Sequence, residues 1–164
     1  MYKAIAAMEK NRVIGNSQDD MIPWHFSKDF AWLKEKTLGS PIIMGATTFK
    51  SLGYKGLPKR TNIVLSKTLN QSDYQNVLIY KDVQDILDNH KEAFVIGGAQ
   101  IYKLFAEMDL LDEVILTKIE GEFDGDVKLP ELEKGMKIVD EQEIVDMNKK
   151  DNKEYNLKFV TYKK

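Results

Sequence analysis

A chain of 164 residues, 43% hydrophobic and 30% charged, suits a single globular domain over 1–164. Its 24 basic and 26 acidic residues leave a formal net charge of -2, without the positive surplus of a nucleic-acid binder, and the absence of cysteine removes disulfides, thiolate chemistry and cysteine zinc sites. Only His25 and His90 remain as imidazoles, so no metal centre is expected; no apolar run is long enough for a membrane span, and Ala4 to Met8 is too short for a signal core, which predicts a cytoplasmic protein.

Residues 2–8 read as a buried strand. Residues 9–26 form a long polar stretch without periodicity, ending in Pro23-Trp24, and a loop of that length in a compact domain is usually functional. A helix is predicted over 27–37 with Ser27 as its N-cap. Pro41 to Met44 reads as a second strand stopped by Gly45, with a helix over 46–52. Strands follow at 62–66 and 77–80, a helix at 83–89, a strand at 94–96 stopped by Gly97-Gly98, a helix from 99 to 107 and a strand over 113–119. Residues 137–147 and 154–162 read as strands joined by the turn-rich Lys149-Lys150-Asp151-Asn152. The expected architecture is α/β: a mostly parallel sheet of about eight strands, helices on both faces, and an antiparallel C-terminal hairpin. Open sheets of this kind bind ligands beyond the carboxyl ends of their strands.

Two strands end in glycine and run into a helix, at Met44-Gly45-Ala46-Thr47-Thr48 and at Ile96-Gly97-Gly98-Ala99-Gln100. A helix N-terminus offers unpaired N–H groups, and glycine lets a phosphate approach the main chain. The 62–66 strand ends in Ser66-Lys67-Thr68, which suits another phosphate. Each turn alone could equally be a simple change of direction, and the G-x-G-x-x-G fingerprint is absent. On the 27–37 helix, Phe26, Phe30 and Leu33 share a face with Asp29. A carboxylate among such side chains is desolvated, which raises its pKa and suits proton chemistry or a cationic heterocycle; the plainer alternative is a first-turn acid complementing the helix dipole.

The ordered set Ile5-Ala6-Ala7, Val13-Ile14-Gly15, Pro23-Trp24, Asp29-Phe30, Leu33, Thr37, Ile43-Met44-Gly45, Thr48-Phe49-Lys50-Ser51, Leu57-Pro58-Lys59-Arg60, Val95-Ile96-Gly97-Gly98, Tyr102, Thr117 and Gly125-Asp126 resembles the dihydrofolate reductase family of bacterial type. Each piece is short; their order across nearly the whole chain is what is specific. The resemblance implies NADPH-dependent reduction of 7,8-dihydrofolate to tetrahydrofolate, serving one-carbon metabolism, and binding of antifolates; the lack of an obvious partner helix or exposed apolar stripe in the sequence makes a monomer the expectation. It implies that Asp29, with Thr117 and Trp24 in the catalytic set, grips the pterin. Ile5, Ala6, Phe30, Leu33 and Leu52 would line the folate slot with Leu57 and Ile96, and Arg60 would pair with the carboxylate of the glutamate tail.

The resemblance further places NADPH against four segments. These are Ala7, Ile14, Gly15 and Ile22; the turn Gly45, Ala46, Thr47 and Thr48; the strand end Leu65, Ser66 and Lys67; and the turn Gly97, Gly98 and Ala99 with Gln100, Ile101 and Tyr102. It implies a cis Gly97-Gly98 bond, and a 9–24 loop with 16–22 at its tip that closes over the nicotinamide, braced by Asp126. Two positions depart from the family's pattern: Ala46 and Gln100 stand where arginine often meets the adenosine 2′-phosphate, leaving Ser66 and Lys67 to hold it. The loop before Pro23 is about two residues longer than in short bacterial members. A pyrimidine reductase of flavin biosynthesis shares the sheet and the Gly-Gly turn, but its phosphorylated sugar substrate does not call for Asp29 with Arg60. A non-catalytic nucleotide-binding module would bind NADPH without methotrexate-sensitive oxidation.

Overall fold

Short runs of β-branched and apolar residues, each closed by a glycine or a polar turn, build the sheet. The computed structural model describes residues 1–18 and 22–164. Its strands are β1 (Tyr2–Glu9), β2 (Val13–Gly15), β3 (Ile42–Gly45), β4 (Asn62–Leu65), β5 (Val77–Tyr80), β6 (Ala93–Gly97), β7 (Leu111–Ile119), β8 (Val127–Lys128), β9 (Lys137–Asn148) and β10 (Lys153–Lys163). The helices are α1 (Ser27–Thr37), α2 (Ala46–Ser51), α3 (Val83–Asn89) and α4 (Ala99–Glu107). Eight strands form one sheet in the order β5-β4-β3-β6-β1-β7-β10-β9. The first six run parallel, and β10 and β9 close the sheet as the expected antiparallel hairpin.

Because successive strand residues point to opposite faces, the sheet makes two cores. Ala4, Ile43, Ile63 and Val95 pack with Ile86 of α3 and with Tyr102 and Phe105 of α4. Ile42, Met44 and Val64 pack with Phe49 of α2 and Phe30 of α1. Helices therefore cover both faces. A third cluster, Trp24, Phe26, Ile119 and Leu157, seals the end of the sheet where the long polar segment returns. No helix among the described residues is long and apolar enough to cross a membrane.

Two expectations change. Ser27 is the first helical residue of α1 and not its cap; Phe26 occupies the cap position and offers no side-chain acceptor. The acceptor comes instead from far along the chain: Asp146 Oδ2 on β9 takes the Lys28 N–H at 2.9 Å. The 9–26 segment is also not all loop. Its residues Val13–Gly15 pair with Val127–Lys128 as a separate antiparallel ribbon. Residues 19–21, within the expected lid tip, lie outside the described residues.

Candidate active site

The central strands part where the site begins. β1 pairs with β6 only as far as Ala4 with Val95, while on its other side it stays paired with β7 through Ile5, Ala6 and Ala7 to Glu9. Beyond Ala4 the main chain of β1 therefore lacks its β6 neighbour, and a cleft opens between Ile5 and Ile96. The Tyr102 hydroxyl, from α4, bridges this gap by donating to the Ile5 carbonyl at 2.7 Å. Such a crevice at the carboxyl ends of adjacent strands is where doubly wound sheets receive ligands.

Asp29 enters the cleft from the first turn of α1. Part of the residue faces the opening, but protein surrounds the carboxyl closely enough to weaken its hydration. Thr117, which is 2% exposed and sits opposite Ala7 in the sheet, donates to Asp29 Oδ1 at 2.6 Å. Burial pushes the Asp29 carboxyl up to about 6; the Thr117 hydrogen bond opposes this and the Asp146 carboxylate adds to it. The Tyr102 phenol is raised well above its ordinary value, by burial first and the neighbouring Asp29 second. The apolar surroundings differ from the single helix face expected. Phe30 belongs to the core beneath α2, whereas Phe26 packs with Trp24 on the other side. Trp32, one turn beyond Asp29, stacks on Phe159 with ring centroids 4.5 Å apart, and Phe159 lies opposite Thr117.

The two glycine turns meet each other and Tyr102, whose phenol also feels Asp29. The Gly97-Gly98 bond is cis. Gly97 has φ +130°, a backbone conformation that strains any side chain, and a Cβ built on it would be tight against Thr48 Oγ1 at 3.1 Å. The turn therefore brings together Thr48 of α2, Tyr102 and the head of α4, where the Ile101 and Tyr102 N–H groups fold back on the Gly98 carbonyl. Ala46 and Thr48 are half-buried at the parallel turn after β3, while Thr47 and Gln100 are exposed. At the end of β4 the Ser66 hydroxyl accepts from Thr68 N–H at 3.3 Å and Leu69 N–H at 3.2 Å, shaping its own turn, and Lys67 projects into solvent.

Arg60 is fixed at the mouth. Its Nε donates to Thr37 Oγ1 at 2.9 Å, and its two Nη atoms donate to the carbonyls of Pro58 and Lys34. Three of the five guanidinium N–H groups are thus anchored, which leaves one on each Nη for a planar anion. Burial holds its pKa below the usual arginine value. Ile5 and Leu57 are buried, and Ala6, Leu33, Leu52, Leu65 and Ile96 are half-buried.

The polar segment before α1 is tethered from three sides. Ser17 donates its N–H to Asp126 Oδ1 at 2.8 Å and its hydroxyl to Oδ2, which holds the exposed Asp126 carboxyl below its ordinary value. A Cβ on Gly125 would sit 2.4 Å from the Gly15 carbonyl oxygen, so the ribbon around Gly15 and Ile14 depends on that glycine. Lys150 donates to the carbonyl of Ile22, whose side chain is 49% exposed. Trp24, 6% exposed, meets Phe123 edge to face at 5.3 Å.

Glu9 is a site-bordering residue that the sequence pattern did not single out. It is fully buried and accepts from the N–H groups of Asn11 (2.5 Å), Val13 (3.0 Å) and Phe123 (3.4 Å), tying both loops to the end of β1. Its signal is an acid directly after an apolar strand, followed by the turn residues Lys10-Asn11. Two other hollows, about 240 Å3 beside Leu111 and Leu132 and about 680 Å3 beside Lys118 and Lys158, include neither Asp29 nor the glycine turns, although Glu9 borders the second.

An open, mostly parallel sheet with a desolvated acid and two glycine turns at its strand ends belongs to the α/β proteins whose ligands bind beyond the carboxyl ends of the strands. A family model described as Dihydrofolate reductase matches residues 1–164. The dihydrofolate reductase of Bacillus subtilis (strain 168) is 41% identical over 170 residues, covering 100% of this chain and 95% of that protein. That of Haemophilus influenzae is 38% identical over 135 residues, 80% of this chain and 79% of that protein. A dihydrofolate reductase structure from Enterococcus faecalis, complexed with NADP(H) and RAB-propyl, superposes with a TM-score of 0.83 at 28% identity, covering 99% of this chain and 95% of that one. The chain belongs to the dihydrofolate reductase family.

Proposed function

We infer that this single-domain chain is an oxidoreductase of the cytoplasm, acting as a monomer, that reduces 7,8-dihydrofolate to 5,6,7,8-tetrahydrofolate with NADPH and binds antifolates in the same slot. The observation that carries the reading is the Asp29–Thr117 pair, bonded at 2.6 Å between the first turn of α1 and β7, the strand beside β1. A carboxyl with a pKa near 6 can grip adjacent N–H donors of a pterin and hold a proton close to neutrality.

The Gly97-Gly98 turn, which without side chains packs its main chain closely against Thr48 and Tyr102, would hold NADPH. The cofactor supplies hydride from nicotinamide C4 to pterin C6. The protein supplies the rest. Ile5, Ala6, Phe30, Leu33, Leu52, Leu57 and Ile96 exclude water around the ring, and Arg60 takes the glutamate tail with its two spare N–H groups. Asp29 holds the pterin and gives up the proton destined for N5 through an intervening water. Ala7, Ile14, Gly15 and Ile22, the turns at Gly45–Thr48 and Gly97–Tyr102, and Leu65, Ser66 and Lys67 would hold the cofactor. The segment held by Asp126 and Trp24 would shield the nicotinamide from water. With Ala46 and Gln100 lacking charge, Lys67 is the remaining cation for a 2′-phosphate, so preference over NADH narrows without inverting. The test is loss of NADPH absorbance with dihydrofolate as substrate, abolished by methotrexate; NADPH binding without that oxidation overturns the reading.

A further inference from the structure

We propose that Asp146 is a positioning residue for the reaction: from β9 it caps the helix that carries Asp29 and keeps a second negative charge beside that carboxyl. The inference rests on the role given to Asp29 above.

Three contacts carry it. α1 begins without an acceptor of its own, because Phe26 stands at its cap position. Asp146 Oδ2 supplies that acceptor to the Lys28 N–H at 2.9 Å, and Oδ1 accepts from the Met147 N–H at 2.9 Å. The Lys28 ammonium reaches past it to the Val145 carbonyl at 2.9 Å. One short piece of β9 thus holds both main chain and side chain of the residue immediately before Asp29, fixing the first turn of the helix from outside.

The charge is also left standing. Among the described residues Asp146 makes no salt bridge. The polar and charged groups that meet Asp29 are Thr117 from β7, Tyr102 from α4 and Asp146 from β9. Thr117 favours the ionised form of Asp29, and Asp146 favours the protonated one. Tyr102 stays a neutral phenol. A helix cap alone would need only an oxygen at this position. An ionised one, beside an acid that must keep its proton near neutral pH, does a second thing that Asn could not.

The two effects separate by substitution. Asp146→Asn retains an oxygen for the Lys28 N–H and removes the charge; Asp146→Ala removes both. The readout is the carboxyl titration of Asp29 by 13C NMR in the intact protein without substrate, its signal assigned by its disappearance in Asp29→Asn. The Asp29 midpoint is expected to shift downward in Asp146→Asn with thermal stability kept, and to shift downward in Asp146→Ala together with a Tm lower by about 2–4 °C. The high-pH limb of kcat should move in the same direction, so that turnover falls a few-fold at about pH 7.5 and not at about pH 5.

An unchanged midpoint in folded Asp146→Asn overturns the proposal. If that variant does not fold, the wild-type midpoint decides: screening by high salt should lower it, and a salt-independent midpoint is the overturning result. Because the titration needs no substrate, its failure stays distinct from failure of the reductase reading, which the dihydrofolate assay reports.

Discussion

Asp29 and Asp126 are both aspartates that bond a hydroxyl from another segment, yet their environments push them in opposite directions. Asp29 lies in the cleft, where lost hydration outweighs the bond from Thr117 and pushes it up to about 6. Asp126 lies on an exposed loop, where bonds from the Ser17 hydroxyl and N–H dominate and hold it below its ordinary value. The difference teaches that a hydrogen bond to a carboxylate does not by itself set the sign of its shift; the solvent it has given up does. The first environment suits an acid that handles protons, the second a permanently charged tether for the segment around Ser17.

The sharpest way to break this contrast is Asp29→Asn. Turnover at neutral pH is expected to fall about 10²–10³-fold with NADPH affinity kept, as suits loss of a proton-handling group; near-normal kcat would remove the role. Stability should move the other way. The native state holds the Asp29 proton up to about 6 while the unfolded chain releases it near its ordinary value, so between those two the folded protein binds more protons. Stability from this group is present at low pH and is lost as pH rises through that window, by about 2–3 kcal/mol. Thermal melts of wild type and Asp29→Asn should therefore diverge in favour of the variant as pH is raised from about 4 to about 7, by roughly 5–10 °C. Parallel melts would place the carboxyl in solvent.

On the tether side, Gly125→Ala tests the close approach to Gly15. Its Cβ has no room against the Gly15 carbonyl oxygen, so the ribbon of β2 and β8 must shift, and kcat is expected to drop about tenfold with the loop misplaced. Asp126→Ala removes only the two bonds to Ser17 and should change kcat a few-fold. Stopped-flow measurement of the hydride step should find it altered less than steady-state turnover; the reverse result would move Asp126 from loop motion to chemistry.

The parts of this contrast were unequally legible in the amino-acid order. Strands such as Ile42–Gly45 and Ala93–Gly97 announce themselves, because a run buried on both faces must be apolar throughout and must stop at a turn residue. The glycine turns stand out the same way, each at the end of an apolar run, whereas the acid of α1 shows only through its spacing from Phe26, Phe30 and Leu33, a face that the fold splits between two cores. Val13–Gly15 and Val127–Lys128 carry no such signal: two or three residues are too few for a period, and their pairing depends on contacts more than a hundred positions apart. The cap of α1 failed for the same reason. A serine before a helix is a sound local expectation, but the acceptor came from residue 146, outside any local window. Glu9 escaped because a buried acid is justified only by the N–H groups that converge on it, and those of Val13 and Phe123 belong to other turns.

The grip of β9 on Lys28 and of Asn148 on the His25 N–H, at 2.8 Å, has a consequence for the order of assembly. Every side chain that lines the cleft precedes residue 120, yet the helix bearing the acid receives its end-stop from the strand made after all of them. A growing chain halted before β9 would hold the full set of cleft residues with the head of α1 unfastened. Competence should therefore arrive late and abruptly during synthesis, when the hairpin docks against β7, and not gradually as each cleft segment emerges.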